Sequence, residues 1–313
     1  MALVTEEQII KVLRKYNPWW ITPSAIGEES KPQKRIAYYE AMKIMQHKTI
    51  RRFVVLSGAR RVGKTTILYQ MMEKLLDEGV FPKNILYVTF DNPIFKLVSV
   101  EDVLSIYESL YPVSGTRYLF LDEIQYTDNW ELWMKVIYDD RKDICLTATG
   151  SASPNLENGS ADSGTGRWSV LKIPTMSFYE YCQLLQLPQQ PVLPDKLRLT
   201  GLAASSSAEL NDLTARFEPL IQHFNRYLTI GGFPELVLVD DDAYAQRMLR
   251  EDVVDKVIKR DVLTLFHARS PLLMEKLFVY LCLNSTQIFS AGTAAKELEN
   301  TSVNTIDTYL DAL

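Results

Sequence analysis

A chain of 313 residues with 47% hydrophobic and 23% charged content can bury one large core or two smaller ones, which excludes a compositionally disordered protein. Its formal net charge of -5 argues against nucleic-acid binding by the whole surface and leaves only a local basic patch for that purpose. The cysteines Cys145, Cys182 and Cys282 and the histidines His47, His223 and His267 are scattered without ligand spacing, so neither a zinc site, a disulfide framework nor a histidine-centred nucleophile is expected.

No apolar run approaches the ~20 residues that span a bilayer, and the first residues carry Glu6 and Glu7 rather than a basic leader. The expectation is a cytoplasmic, reducing location, no membrane association, and cysteines that are buried free thiols.

In chain order, Thr5 and Gln8 form a capping box for a helix whose apolar face is Ile9, Ile10, Val12, Leu13 and Tyr16, stopped by Asn17-Pro18. Trp19 and Trp20 follow directly. They read as anchors fixing an N-terminal arm, residues 1–50, to the main body, with base stacking as the alternative. Over residues 31–64 the basic side chains Lys31, Lys34, Arg35, Lys43, Lys48, Arg51, Arg52, Arg60, Arg61 and Lys64 face a single acid, Glu40. This asymmetry fits either a phosphate-backbone contact or, the preferred reading, a solvated face whose acidic partners lie elsewhere.

Residues 51–79 organise the rest of the chain. Phe53-Val54-Val55-Leu56 reads as a buried strand, Gly58-Ala59-Arg60-Arg61-Val62-Gly63-Lys64-Thr65 fits GxxxxGKT residue for residue, and Ile67, Leu68, Met71, Met72, Leu75 and Leu76 recur at helical spacing up to Gly79. Gly58 and Gly63 permit backbone angles that let successive N–H groups converge on one anion, and the helix N-terminus adds partial positive charge. Residues Gly58 to Thr66 would therefore cradle a nucleotide's phosphates, including Ala59, Arg60, Arg61, Val62 and Thr66. Lys64 would reach the β- and γ-phosphates and the Thr65 hydroxyl would ligate Mg²⁺. No Asn-Lys-x-Asp stretch reads guanine, so the expected ligands are ATP and Mg²⁺.

A second strand, residues 85–90, is broken by Asp91-Asn92-Pro93, and a helix over residues 100–110 has Ser99 and Asp102 as start signals. Tyr118-Leu119-Phe120-Leu121-Asp122-Glu123 is an apolar run ending in two acids. A strand that carries its acid at the C-terminal edge of a parallel sheet delivers the carboxylate to the ligand crevice. Asp122 is then the metal ligand through water, and Glu123 orients and deprotonates the attacking water, which implies hydrolysis rather than group transfer. Asp128 and Glu131 match a capping arrangement for the next helix, with Trp130 and Trp133 in its core face.

The fourth strand, residues 144–149, ends in Gly150-Ser151-Ala152-Ser153, whose hydroxyls can bond the γ-phosphate or the lytic water; a plain serine turn is the alternative. A small, polar loop over residues 158–166 precedes Arg167 and a fifth strand, residues 170–173. Arg167 can donate to developing phosphate charge in its own or a neighbouring subunit, or be an ordinary surface arginine.

Residues 187–212, with Pro188, Pro191, Pro194 and Ser205-Ser206-Ser207, read as a linker. From Phe217 the periodicity is helical, interrupted at Gly231-Gly232-Phe233-Pro234, so residues 213–313 are expected to be mainly α. Residues 294–313 read as helix, short turn, helix, with Leu298 and Val303 inward and Ile306, Tyr309 and Leu310 on the next face. Asp307 and Asp311 on the second helix make packing as good a reading as DNA readout.

Taken together, Asn17-Pro18-Trp19-Trp20, Gly58 to Thr66, Leu121-Asp122-Glu123-Ile124-Gln125, Thr149-Gly150-Ser151, Gly166-Arg167, Ser177-Phe178-Tyr179-Glu180 and Gly231-Gly232-Phe233-Pro234-Glu235 give a sequence that resembles the prokaryotic ATPases of the AAA+ superfamily in which an ATPase core precedes a C-terminal domain of unknown function. The resemblance implies that Gly58, Gly63, Lys64 and Thr65 are the Walker A residues and Asp122 and Glu123 the Walker B pair. Ser151 or Thr149 would be the first sensor, Arg167 an arginine finger, and Arg247, Arg250 or Arg260 a second sensor. It further implies an α/β P-loop core over residues 51–186, with a parallel sheet of order 5-1-4-3-2 flanked by helices and followed by a helical lid with a partial helix-turn-helix. Mg²⁺-dependent ATP hydrolysis would drive movement of that helical domain, acting with a DNA or protein partner and with a homo-oligomer as a further expectation. A slow nucleotide-gated switch is the alternative. A small-molecule kinase is disfavoured, because Glu123 beside Asp122 suits activation of water. Members commonly continue past a winged helix, whose apparent first half is where this sequence stops.

Overall fold

The apolar runs of the sequence become the strands of one sheet. β1 (Phe53–Gly58), β2 (Ile85–Thr89), β3 (Arg117–Asp122), β4 (Ile144–Ser151) and β5 (Trp168–Lys172) pair in the order β2-β3-β4-β1-β5, every pairing parallel. This is the 5-1-4-3-2 order that the resemblance implied. Parallel strands with both faces covered read as unbroken apolar runs, and every residue of β1 is buried. The computed structural model describes residues 4–312 apart from 28, 113, 152–165, 189–198, 257, 259–269 and 299–300; most of the polar loop at 158–166 and Arg260 therefore lie outside the described residues.

The helices that accompany the sheet are α1 (Glu6–Tyr16), α2 (Ile36–Met45), α3 (Lys64–Asp77), α4 (Val100–Leu110), α5 (Trp130–Asp140) and α6 (Phe178–Leu184). The capping boxes Thr5/Gln8 and Ser99/Asp102 open α1 and α4 as their spacing predicted. α5 starts differently. Its N-cap is Asn129, held left-handed at φ 54°, and no side chain caps the helix, so Asp128 and Glu131 do not form the expected box. Asparagine tolerates that conformation better than most side chains do. Trp130 is buried there, whereas Trp133 is half-exposed.

β2 is an edge strand, and the N-terminal arm covers its open side. Asn17 Nδ2 donates to Tyr87 O at 2.8 Å while Asn17 Oδ1 accepts from Tyr87 N at 2.7 Å, as a neighbouring strand would. The indole N–H groups of Trp19 and Trp20 both donate to Ile85 O, at 3.1 and 2.8 Å. The paired indoles thus anchor the arm, and the edge is closed against pairing with another chain.

Two compact units divide the chain, Met1–Leu238 and Val239–Leu313. Within the first, the stretch read as a linker contributes helices at Leu199–Leu202 and Ser207–Phe217. Its serine run is a helix start, because Ser206 forms a capping box with Glu209. Helices Ile221–Ile230 and Pro234–Val237 follow. The second unit is helical, as expected, and buries Met274, Leu277, Ala294, Ala295, Leu298, Ile306 and Tyr309 together. Val303 does not point inward but is 45% exposed, since Ile306 and Tyr309 take the inner face of Val303–Ala312. Cysteine burial is also uneven. Cys182 is buried, Cys145 half-buried and Cys282 exposed, the last because Pro271–Leu283 is apolar on more sides than its neighbours cover.

Candidate nucleotide-binding site

β1 delivers the chain to the glycine loop, and α3 takes it away. Gly58 has no room for a side chain, since a Cβ there would lie 2.3 Å from the carbonyl oxygen of Ile173. Gly63, at φ 93°, and Arg61, at φ 62°, are both left-handed, which turns the loop into a concave run of main-chain groups. Lys64 is buried within it and donates from Nζ to Gly58 O and Ala59 O, each at 2.9 Å. Arg60 reaches the Tyr126 hydroxyl at 2.5 Å, Arg61 pairs with Glu235, Val62 is buried, and Thr66 lies in the first turn of α3.

The register of β3 brings Asp122 to the same edge. Thr65 Oγ1 donates to both of its carboxylate oxygens, at 3.2 Å to Oδ1 and 3.0 Å to Oδ2. Thr149 Oγ1 donates to Oδ1, and the Tyr87 hydroxyl donates to Oδ2 at 2.9 Å. Burial pushes the Asp122 carboxyl above the usual carboxylate range and the neighbouring Glu123 adds to the rise, against which the hydroxyls of Thr149, Tyr87 and Thr65 pull it down. Burial likewise raises the Tyr87 phenol well above its ordinary value, so it stays a donor. Glu123 is left-handed at φ 53°, its N–H donates to Thr149 Oγ1 at 3.0 Å, and its carboxylate accepts from Gln125 Nε2. Left-handed conformations at side-chain-bearing residues concentrate at functional sites.

With Gly58, Lys64, Thr65, Asp122 and Glu123 gathered at one edge, the family comparisons agree with the geometry. Residues 50–182 match the AAA domain family, and residues 221–313 match a domain of unknown function. The chain thus carries a stretch similar to an AAA domain, followed by one similar to a domain of unknown function. An uncharacterized protein of Haemophilus influenzae is 25% identical over 278 residues, covering 87% of this chain and 62% of that protein. An uncharacterized protein of Methanocaldococcus jannaschii is 24% identical over 253 residues, covering 80% of this chain and 51% of that protein. The chain thus spans between half and two thirds of these relatives. Among solved structures, the ORC1 protein of Aeropyrum pernix in complex with DNA aligns with a TM-score of 0.40 and 13% identity over 93% of this chain and 85% of that one. RuvB of Thermotoga maritima aligns with a TM-score of 0.37 and 17% identity over 88% of this chain and 84% of that one.

The AAA core does not gather every residue singled out by sequence. Ser151 ends β4 with its Cα paired to Gly58, at the edge that holds the loop. Thr149, the other sensor candidate, contacts Asp122 and the Glu123 amide. Arg167 is at the other end. It immediately precedes β5, its carbonyl accepts from Phe53 N at the start of β1, and its guanidinium pairs with Asp139 at 3.0 Å. The parallel register therefore separates it from Lys64 by the length of β1, and the reading in which it serves phosphate within its own subunit is corrected. Arg247 and Arg250 belong to the second unit, where Arg250 lies 3.7 Å from Glu275.

Sequence reasoning also missed a support beneath the AAA core's loop. Arg35 is buried and donates from Nη1 to Val62 O at 2.8 Å and Pro174 O at 2.9 Å, while Nε and Nη2 engage the Glu180 carboxylate at 3.1 and 2.9 Å. Glu180 also accepts from Ile36 N and, as the capping-box acid of α6, from Ser177 N. The serine-x-x-glutamate spacing is the signal that could have found the cap. Nothing in the spacing announced the arginine. The acidic partners inferred for the basic stretch are found here for Arg35 and in Glu235 for Arg61.

Mg²⁺ prefers oxygen ligands and is usually held by one or two protein donors plus phosphate oxygens and water. The hydroxyl of Thr65 and the carboxylate of Asp122, 3.0 Å apart, supply such donors, so the AAA core's residues fit the ion. Among the described residues no group of three or more His, Cys, Asp or Glu forms an alternative metal cage, and no helix is long and apolar enough to cross a membrane.

Proposed function

We propose that this chain binds ATP with Mg²⁺ at the C-terminal edge of its sheet and hydrolyses it, and that nucleotide state alters the helical C-terminal region for a DNA or protein partner. The observation that carries the reading is the meeting of Lys64, Thr65 and Asp122, with Thr65 Oγ1 3.0 Å from Asp122 Oδ2 and Lys64 Nζ inside the loop. Lys64 would exchange the carbonyls of Gly58 and Ala59 for β- and γ-phosphate oxygens, and the main chain from Gly58 to Thr66 would donate to the rest. Thr65 and Asp122 would hold the cation, directly and through water. Bound Mg²⁺ supplies charge neutralisation on the phosphates. Glu123 orients the attacking water and takes its proton, while Thr149, bonded to Asp122 and to the Glu123 amide, keeps the two acids in fixed relation. Ser151 is the second candidate for a sensing hydroxyl.

A second reading, a slow nucleotide-gated switch, draws on the bond from Gln125 Nε2 to Glu123 Oε2. While that bond persists the carboxylate is engaged away from solvent chemistry, so basal turnover is low until a partner releases it.

The test is ATP affinity and turnover of the full chain, with and without Mg²⁺ and with and without duplex DNA. Lys64→Ala is expected to lower turnover by about 10²-fold or more and to weaken ATP binding. Unchanged ATP affinity in that variant would remove the reading. Stimulation of the wild type by DNA would identify the partner class.

A further inference from the structure

The motif Asn17-Pro18-Trp19-Trp20 has so far only a structural task, yet it grips one residue that touches the site. Asn17 holds both main-chain groups of Tyr87, at 2.8 and 2.7 Å. Strand side chains alternate between faces, and Tyr87 is in register with Phe120, so its side chain shares a face with that of Asp122 further along β3. Tyr16 and Tyr69 flank the Tyr87 ring, with centroids 6.2 and 5.0 Å away, and the residue is 3% exposed. A ring fixed at its backbone and packed on its sides presents its hydroxyl to Asp122 in one orientation.

The division of donors on Asp122 makes that orientation matter. Thr65 bonds to both oxygens, but it is also the hydroxyl expected to turn to the cation. The other donors are Thr149 on Oδ1 and Tyr87 on Oδ2. A carboxylate's terminal torsion is soft, and one donor on each oxygen fixes its plane where a single donor would leave it free to rotate.

We propose that Tyr87 is a positioning residue for the metal-binding carboxylate and that the Asn17–Trp20 arm acts through it, setting the plane in which Asp122 meets the cation. This rests on the reading of Asp122 as the metal ligand. Residues behind a metal ligand commonly contribute about 10–100-fold to metal affinity.

The test uses the full chain, with Mn²⁺ as the probe and a fluorescent ATP analogue as the reporter. The quantity read is the ratio of nucleotide affinity in Mn²⁺ to that in EDTA. Tyr87→Phe removes one oxygen and keeps the ring. It is expected to reduce the ratio about tenfold while leaving affinity in EDTA within about twofold of wild type. Tyr107→Phe is the control, because Tyr107 donates to Lys83 O at 2.6 Å and stacks on Trp20 without reaching Asp122. A Tyr87→Phe ratio equal to that of wild type, or a matching fall in Tyr107→Phe, would overturn the proposal. Asn17→Ala is expected to lower both the melting temperature and the ratio, and it carries the test if Tyr87→Phe does not fold; a folded Asn17→Ala protein with the wild-type ratio would remove the arm from it. Should wild type show no difference between Mn²⁺ and EDTA, the assignment of Asp122 falls first and this inference with it.

Discussion

The two ends of the parallel sheet are both crowded with charge, and they resolve it in opposite ways. Where the strands begin, Arg117 pairs with Asp143, Arg141 with Glu108 and Asp143, and Arg167 with Asp139, while Arg51 donates to the carbonyls of Tyr138, Arg141 and Ile144. Where they end, Asp122 is held by hydroxyls and Lys64 donates to main-chain carbonyls. A charge already matched by an opposite charge gains little from a ligand. A buried carboxylate held by neutral hydroxyls, as Asp122 is, still has its strongest partner to gain. Among the acids the difference marks the edge proposed for nucleotide without reference to any motif, since Glu108, Asp139 and Asp143 meet guanidinium groups and Asp122 meets hydroxyls; Arg51, held by carbonyls, is the exception at the first edge and the ion pair of Arg35 with Glu180 the exception at the second.

The largest expected effect breaks the edge proposed for nucleotide at the residue proposed to activate water. Glu123→Gln keeps shape and hydrogen-bonding reach but cannot take a proton, so turnover should fall by about 10²–10⁴-fold with ATP affinity retained. Single-turnover hydrolysis beside equilibrium binding measures both. Comparable loss from Arg141→Ala, at the other edge, would erase the contrast between the two ends.

Next in size is a buried ion pair beneath the edge proposed for nucleotide. Arg35 and Glu180 have side chains only 10% and 7% exposed, and removing one partner leaves the other charge buried, at a cost of about 3–5 kcal/mol. Urea unfolding of Arg35→Met reads that loss, and weaker ATP binding should accompany it because Arg35 also holds Val62 O. The pH dependence has a definite sign. Burial pushes the Glu180 carboxyl upward, but hydrogen bonds from Arg35 and from the N–H groups of Ser177 and Ile36 outweigh it and leave it below the usual range. The stabilisation is therefore complete above the ordinary glutamate value of about 4.3 and disappears as pH falls through the lowered native value. Glu180→Gln should be less stable at neutral pH and should lose less than wild type on acidification over that window.

What the sequence made legible was local. The glycine loop, the capping boxes at Thr5 and Ser99, and the apolar run ending in Asp122 each declare themselves within a few residues, because turn angles, helix starts and strand edges are short-range constraints. The sheet order came from the resemblance rather than from spacing, and the geometry agrees with it. Tyr87 and Arg35 stayed hidden for the opposite reason. Tyr87 reads as one more aromatic in a strand, and only the β2–β3 register turns its hydroxyl toward Asp122. Arg35 reads as one of a basic run, and its acid lies on α6, far along the chain. Asn129 shows a third limit, since its left-handed cap displaces the box that Asp128 and Glu131 spell out.

The smallest expected effect sharpens the comparison where sequence and geometry disagree. Arg167 sits on the structural edge, and its hydrogen bond to Asp139 holds that acid below the usual carboxylate range. Such an exposed pair contributes little to stability, so Arg167→Ala and Asp139→Asn should each melt close to wild type. If Arg167 is only structural, turnover should also stay close to wild type in both. If it reaches phosphate on a neighbouring copy, Arg167→Ala alone should lose turnover, and equimolar mixing with Lys64→Ala should restore part of it, because each mixed interface then combines one intact loop with one intact arginine. Asp139→Asn separates the alternatives further, since weakening the hold of Asp139 on the guanidinium can only aid a role across an interface. Turnover of the two single variants and of the mixture, measured at several protein concentrations, decides whether that edge belongs to the fold alone or to an assembly.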